Sequence, residues 1–178
     1  MSRYLALLRG INVGGKNIIR MTDLRACFEK NGFADVVTYI QSGNVLFTPE
    51  RADRGLVERV EGLLGAAFGY KASVVLRTLK QMEQIVERAP KGFGTDQARY
   101  RYDVIFLKEP LDAATALKSV AVKEGVDQAY AGKGVLYFSR LDSRASQSHL
   151  PKLASQLVYK SMTVRNWNTT TKLLELMG

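Results

Sequence analysis

The first residues in the chain whose types and spacing suit chemistry lie in LLRGINVGGKN, residues 7–17. An apolar run, Leu5-Ala6-Leu7-Leu8, stops at Arg9; Gly10, Gly14 and Gly15 follow, then Lys16. Gly10 to Lys16 reads G-x-x-x-x-G-K, a phosphate-cradling loop short of its last residue. Where Ser or Thr would hold magnesium, the chain has Asn17. Glycines permit positive φ and close approach of backbone to ligand. Successive N–H groups can line a concave anion nest, to which Arg9 and Lys16 would add charge. Three features separate this loop from a magnesium-dependent nucleotide loop. Asn17 replaces the hydroxyl, the next helix is expected near Thr22 rather than at Lys16, and no later apolar strand ends in Asp. The competing reading is a loop whose glycines only make turns.

Two further clusters stand out. Gln41-Ser42-Gly43-Asn44 is polar and short, and it is also ordinary turn chemistry. Arg165-Asn166-Trp167-Asn168-Thr169 holds the only tryptophan among amides and a base. Such a cluster at a strand end could stack on and hydrogen-bond a planar or anionic ligand. Alternatively, Asn168 or Thr169 caps a helix and Trp167 is core. The candidate ligand-binding set is therefore Arg9, Gly10, Asn12, Gly14, Gly15, Lys16, Gln41, Ser42, Asn44, Arg165, Asn166, Trp167 and Asn168. No catalytic residue is assigned. His149 reads as a surface or structural residue at a helix start without a carboxylate partner. Cys27, on an apolar helix face, reads as a buried thiol rather than a nucleophile. One Cys and one His argue against a dedicated zinc site, and no cofactor is expected. Arg3, Tyr4, Arg101 and Tyr102 open two strands, but the aromatic pattern of RNA-binding sheets is missing.

The elements that must position these residues occur twice. Arg3-Tyr4-Leu5-Ala6-Leu7-Leu8 matches Arg101-Tyr102-Asp103-Val104-Ile105-Phe106 at an offset of 98. Asn44–Phe47 matches Gly134–Tyr137 at 90, and Arg77 with Ile85-Val86-Glu87 matches Arg165 with Leu173-Leu174-Glu175 at 88. Each half is expected to open with a strand (3–9; 101–107). A helix follows, carrying Leu24, Cys27 and Phe28, or Leu111, Ala114, Leu117 and Ala121. Thr22 or Asp23 is expected to cap the first of these, and Asp112 to sit in the first turn of the other. Next comes a hairpin about Ser42-Gly43-Asn44, or about Gly132-Lys133-Gly134. A second helix carries Leu56, Val60, Leu63, Leu64 and Ala67, or Leu150, Leu153 and Leu157. A strand (72–77; 162–165) and a closing helix (79–89; 170–177) complete each half. The expected fold class is α+β: two similar ferredoxin-like (split βαβ) halves from an internal duplication. The halves span 1–89 and 100–178, joined by a Pro- and Gly-bearing linker at 90–99. The offset falls by eight before the hairpin, so the first half is longer there by about the size of the glycine loop. A segment the fold can omit is a candidate for function.

The net charge is +9, and its distribution is informative. Residues 1–22 hold four bases and no acid, and residues 143–174 hold five and no acid; the remainder balances. If the two segments meet, they form one electropositive surface suited to phosphate or carboxylate. No apolar run approaches the roughly 20 residues of a membrane span, and the opening apolar core is too short for a signal peptide. With one cysteine, a reducing cytoplasm is the expected compartment.

At this point a resemblance appears. LLRGINVGGKN, MTDLRACFEKNGF, YIQSGNVLF and TVRNWNTTTKLLEL, in that order, closely resemble the bacterial "domain of unknown function 1697" family. The matches extend over essentially the whole chain. The resemblance implies a small bacterial protein with two similar α+β halves and no established activity. It supplies no catalytic residues. It also implies that the glycine loop, Gln41–Asn44 and Arg165–Thr169 belong to one pattern. The leading expectation is a binding protein for an anionic ligand, either nucleic acid or a phosphorylated small molecule. Arg9, Lys16 and Arg165 would supply charge, loop amides would cradle oxygens and Trp167 would stack. The alternatives are a metal-independent enzyme acting on a phosphorylated or carboxylated metabolite, and an interaction module with no ligand.

Overall fold

The apolar run at the start of the chain becomes the central strand of a sheet. β1 (Tyr4–Leu8) pairs on one side with β3 (Asn44–Pro49) and on the other with β4 (Val74–Thr78), so its apolar residues are buried on both faces. A computed structural model describes residues 2–178 of the chain. It shows a mixed α+β protein with two four-stranded antiparallel sheets. The first sheet has the order β2-β3-β1-β4, with β2 at Phe33–Tyr39. The second has the order β6-β7-β5-β8, with β5 at Tyr100–Leu107, β6 at Asp127–Ala131, β7 at Val135–Leu141 and β8 at Met162–Asn166. The helices are α1 (Met21–Lys30), α2 (Leu56–Phe68), α3 (Leu79–Glu87), α4 (Ala113–Ser119) and α5 (Trp167–Met177).

Two compact units divide the chain. One comprises the residues up to Met82 together with Leu173–Gly178, and the other Glu83–Lys172. The division therefore falls inside α3 and α5 rather than in a loop. In the first unit, Leu24 and Phe28 of α1 and Val60 and Leu64 of α2 pack on Ala6, Leu8, Val45 and Phe47. In the second, Ala116 of α4 and Leu153 pack on Ile105, Leu107, Leu136 and Phe138. Arg3 Nη1 donates to the Leu176 carbonyl at 2.9 Å, so both ends of the chain lie together in the first unit.

The two sheets can be aligned by register. Ala6 faces Val45 and Leu76, and Ile105 faces Leu136 and Val164, each set on the side packed by helices. The equivalent positions therefore differ by 99 on the first strand, 91 on the third and 88 on the fourth. The first two are one residue away from the sequence matches of 98 and 90. A one-residue slip moves every side chain to the opposite face of a strand, so buried periodicity overrides local similarity. Backbone hydrogen bonds follow the same offsets. Leu8 N donates to Gly43 O and Leu107 N to Gly134 O; Arg9 N donates to Ser73 O and Lys108 N to Ser161 O. The excess of eight residues persists as the fall in offset from 99 to 91, and most of it lies where residues 9–20 connect β1 to α1 but only 108–112 connect β5 to α4.

Other expectations are corrected. The helix expected through Leu150, Leu153 and Leu157 is two separate 3-10 turns, Leu150–Ser155 and Leu157–Ser161. Gln156 between them is extended (φ −88°, ψ 145°), and Leu157 points outward, 78% exposed. Neither Thr22 nor Asp23 caps α1. Arg20 stands at that position without a side-chain cap bond, and its Nε donates to Asp23 instead. Asp112 is not in the first turn of α4 but caps it, accepting from Thr115 N at 2.7 Å. Ala121 lies beyond α4, which is stopped by the extended Val120. Among the described residues, no helix is long and apolar enough to cross a membrane.

Candidate functional site

The glycine loop folds as a miniature hairpin. Lys16 N donates to Val13 O, Asn12 N donates to Asn17 O, and Gly14 and Gly15 form the turn with φ of 58° and 72°. Left-handed values at both central positions are what a two-residue hairpin turn needs, and glycine supplies them without steric cost. Asparagine side chains close its base. Asn12 Nδ2 donates to Ile19 O and Gln41 O, its Oδ1 accepts from Ile19 N, and Asn17 Nδ2 donates to Gly10 O. Lys16 is exposed at the tip, flanked by Val13 and Ile18, which are 66% and 75% exposed.

The same bonds join this loop to the Gln41–Asn44 turn. Gly43 is confined here: a Cβ would lie 2.8 Å from Leu8 Cβ and from Ile11 Cδ1. Asn44 is fully buried, and its Nδ2 donates to Tyr39 O and Ser42 Oγ. Two of the three candidate segments are thus brought together, both in the first unit. Arg165–Asn168 belongs to the second.

There, Arg165 is buried. Its Nη1 donates to Val164 O, and burial lowers the guanidinium pKa to about 10. Asn166, not Asn168 or Thr169, caps α5, with its Oδ1 accepting from Thr169 N at 2.7 Å. Asn168 forms a reciprocal amide pair with Gln97 at 2.9 and 3.0 Å. Trp167 is half-buried, edge-on to Phe93 with ring centroids 5.1 Å apart. A Cβ on Gly94 (φ 81°) would collide with its indole ring. Residues 90–99 thus supply the seat of the tryptophan.

Asn166, Trp167 and Asn168 line a cleft of about 330 Å³ with Gln97, Tyr100, Arg101, Tyr102, Asp103 and Arg140. Arg101 is ion-paired with Asp142. Asp103 is only 9% exposed, and Arg140 Nη2 stands 3.8 Å from its Oδ2, too far for a hydrogen bond. Asp103 Oδ2 and Arg140 Nε are both buried without a hydrogen-bond partner. Desolvation raises the Asp103 pKa, and the charges of Arg140 and Arg101 draw it back. Asp127, opposite Arg140 across the sheet, accepts from Lys123 N and His149 N through Oδ2. His149 therefore does meet a carboxylate, but through its backbone.

Register shows what the fold requires here. Asp103 takes the place of Tyr4, Arg140 that of Pro49 and Asp127 that of Phe33. In the first unit that end of the sheet is closed by Tyr4, Phe28, Phe33 and Phe47, whose rings pack at 4.8–6.0 Å. The charged trio of the second unit is therefore not an architectural necessity. Sequence reasoning singled out Trp167 and its neighbours but missed Asp103, Arg140 and Gln97. A signal existed: Asp103 is two residues before Ile105 and Arg140 two after Phe138, so both share the helix-packed face.

Cys27 is buried, with Sγ 3.8 Å from Leu63 O, and burial raises its pKa. Among the described residues, no group of three or more His, Cys, Asp or Glu is arranged to hold a metal ion.

The conserved bacterial protein SP0830 from Streptococcus pneumoniae has a similar structure, with a TM-score of 0.87 and 30% identity over 99% of both chains. No curated protein matches the chain. The model of the family described as "Protein of unknown function (DUF1697)" matches residues 1–137, and the chain belongs to that family.

Proposed function

We propose that this chain is a duplicated ferredoxin-like protein that binds an anionic small molecule, with the cleft of the second unit as the binding site. The shared strand order, the offsets of 99, 91 and 88 and the paired backbone hydrogen bonds support one unit used twice. One observation carries the ligand reading: Arg101, Arg140 and Trp167 line a single cleft at the start of α5. A helix start and two guanidinium groups favour an anion, and an indole face favours a planar one. A cleft of this size suits a phosphorylated metabolite better than a polymer. The glycine hairpin, with Arg9 and exposed Lys16, is the other basic candidate.

Thermal unfolding with inorganic pyrophosphate and with nucleotides separates the two locations. Stabilisation of the wild type by several degrees, lost in Arg101→Gln and kept in Lys16→Ala, is the expected result. Loss in Lys16→Ala alone moves the site to the hairpin. No shift with any anion removes the reading.

The enzyme reading is favoured by Asp103, a buried carboxylate of raised pKa in a cleft. Turnover of a bound nucleotide, followed by phosphorus NMR and abolished in Asp103→Asn, would support it. An unchanged ligand after prolonged incubation would exclude it for that nucleotide.

A further inference from the structure

The face of the second sheet turned away from its helices carries another cleft, of about 280 Å³. Ile105 and Phe138 pack on the helix side. Tyr102 and Ser139, an odd number of residues away on the same strands, therefore face the other side. Gln128 pairs with Ser139 and completes a row across three strands. This row lines the cleft together with residues 90–93, Asp96, Tyr100 and Tyr130. The cleft shares Tyr100 and Tyr102 with the one described above and holds none of its arginines.

Ser139 is the informative member. It is only 5% exposed, and its hydroxyl makes no hydrogen bond among the described residues. Such a group calls for a partner. By register, Tyr102 takes the place of Arg3, Ser139 that of Thr48, Gln128 that of Ala34 and Tyr130 that of Val37. The first unit thus builds the same sheet without this aromatic and polar set.

We infer that this cleft binds a neutral sugar, with the pyranose ring against Tyr130 and its hydroxyls met by Ser139, Tyr102, Gln128 and Asp96. The inference is independent of the anion reading.

The lining offers both halves of hydrogen-bonding chemistry. Tyr102 Oη accepts weakly from Asp96 N at 3.3 Å and keeps its own proton to donate. Gln128 Oε1 accepts from Tyr130 Oη at 3.0 Å, which leaves its amide N–H groups to donate. Asp96 is an acceptor, with Arg99 Nη1 at 3.7 Å from its Oδ2, beyond a hydrogen bond. A sugar hydroxyl both donates and accepts, so it can meet any of these groups. The C–H faces of the ring suit an aromatic side chain. Arg99 lies over the ring of Tyr100, whereas Tyr130 is 42% exposed and open to stacking. Charge argues for a neutral ligand, because Lys91 and Asp96 are the only ionised groups among the lining residues and they balance. A quaternary ammonium would suit the rings and Asp96, but it has no acceptor for Ser139 or Gln128. The volume lies just below the usual range of small-molecule sites, roughly 300–1,000 Å³, and suits a single sugar ring.

Two-dimensional amide NMR of the whole chain tests this, with the methyl glycosides of glucose, galactose, mannose and N-acetylglucosamine as probes. Tetramethylammonium and inorganic pyrophosphate serve as contrasts. The expected result is saturable shifts from at least one glycoside at the amides of residues 91–93, 96, 128–130 and 139. Ser139→Ala should weaken that glycoside about fivefold, the loss of one hydrogen bond. Tyr130→Ala, an exposed position that leaves the fold intact, should weaken it about tenfold. The spectrum of each variant verifies its fold. No saturable shift from any of the four glycosides overturns the inference. Shifts at these amides from tetramethylammonium or pyrophosphate alone also overturn it, and make the cleft a cation or an anion site.

Discussion

Gly94 and Trp167 show how much of the cleft depends on single atoms. The φ of 81° at Gly94 and the absent Cβ let the indole lie against the backbone. Gly94→Ala should lower stability by about 1–3 kcal/mol through overpacking and left-handed strain, read by urea denaturation. It should also shift the emission of the lone tryptophan to longer wavelength as the ring is displaced. Asp103 gives a second test. Burial raises its pKa, so the fold favours the protonated form. Its contribution to stability is then full below the ordinary carboxylate value of about 4 and is lost as pH rises through the higher folded value. Asp103→Asn has no such loss. Its melting temperature should gain on the wild type as pH rises from about 4 towards neutrality, and a constant difference would contradict the assignment. These residues were hard to read in the sequence. Asp103 lies in Tyr100-Arg101-Tyr102-Asp103, an alternation typical of a solvated strand end. Its burial comes from neighbours distant in the chain. Trp167 could be singled out because its rarity and amide neighbours are local facts.

At the scale of elements, side-chain caps and staples decide local order. Asn12 combines a left-handed φ of 52° with three hydrogen bonds. Asn12→Ala should cost about 3 kcal/mol, near 1 for each bond, and speed amide exchange across residues 12–19. Asn166→Ala should cost about 1 kcal/mol as the cap of α5 is lost, measured by the same denaturation. Strands and long amphipathic helices were legible because their periodicity is carried by runs such as Leu5–Leu8 and Leu56–Ala67. The region 150–161 misled. Its leucines fall at helical spacing, but Gln156 takes an extended backbone and splits the segment. The sequence matches sit one residue off the structural register on two strands, since Arg-Tyr identity is a weaker constraint than which side faces the helices. The fall in offset marks the glycine hairpin as an insertion, but its closure by Asn12 and Asn17 depends on bonds to Ile19, Gln41 and Gly10 that spacing alone does not reveal.

At the scale of the molecule, the repeated order of elements points to an α+β protein, the charged residues place the excess charge in two acid-free segments, and family membership agrees with the motifs that carry the resemblance. The unit boundaries fall within α3 and α5, so the first unit is assembled from both ends of the chain. The bond from Arg3 to the Leu176 carbonyl has a consequence for connectivity. Covalent order along the backbone and spatial order in the fold are separable when the ends meet. A circularly permuted chain, joined from residue 178 to residue 2 by a short flexible linker and opened between Gly14 and Gly15, keeps every strand pairing described above. It should fold with the native circular dichroism spectrum, because exposed turn tips tolerate new termini.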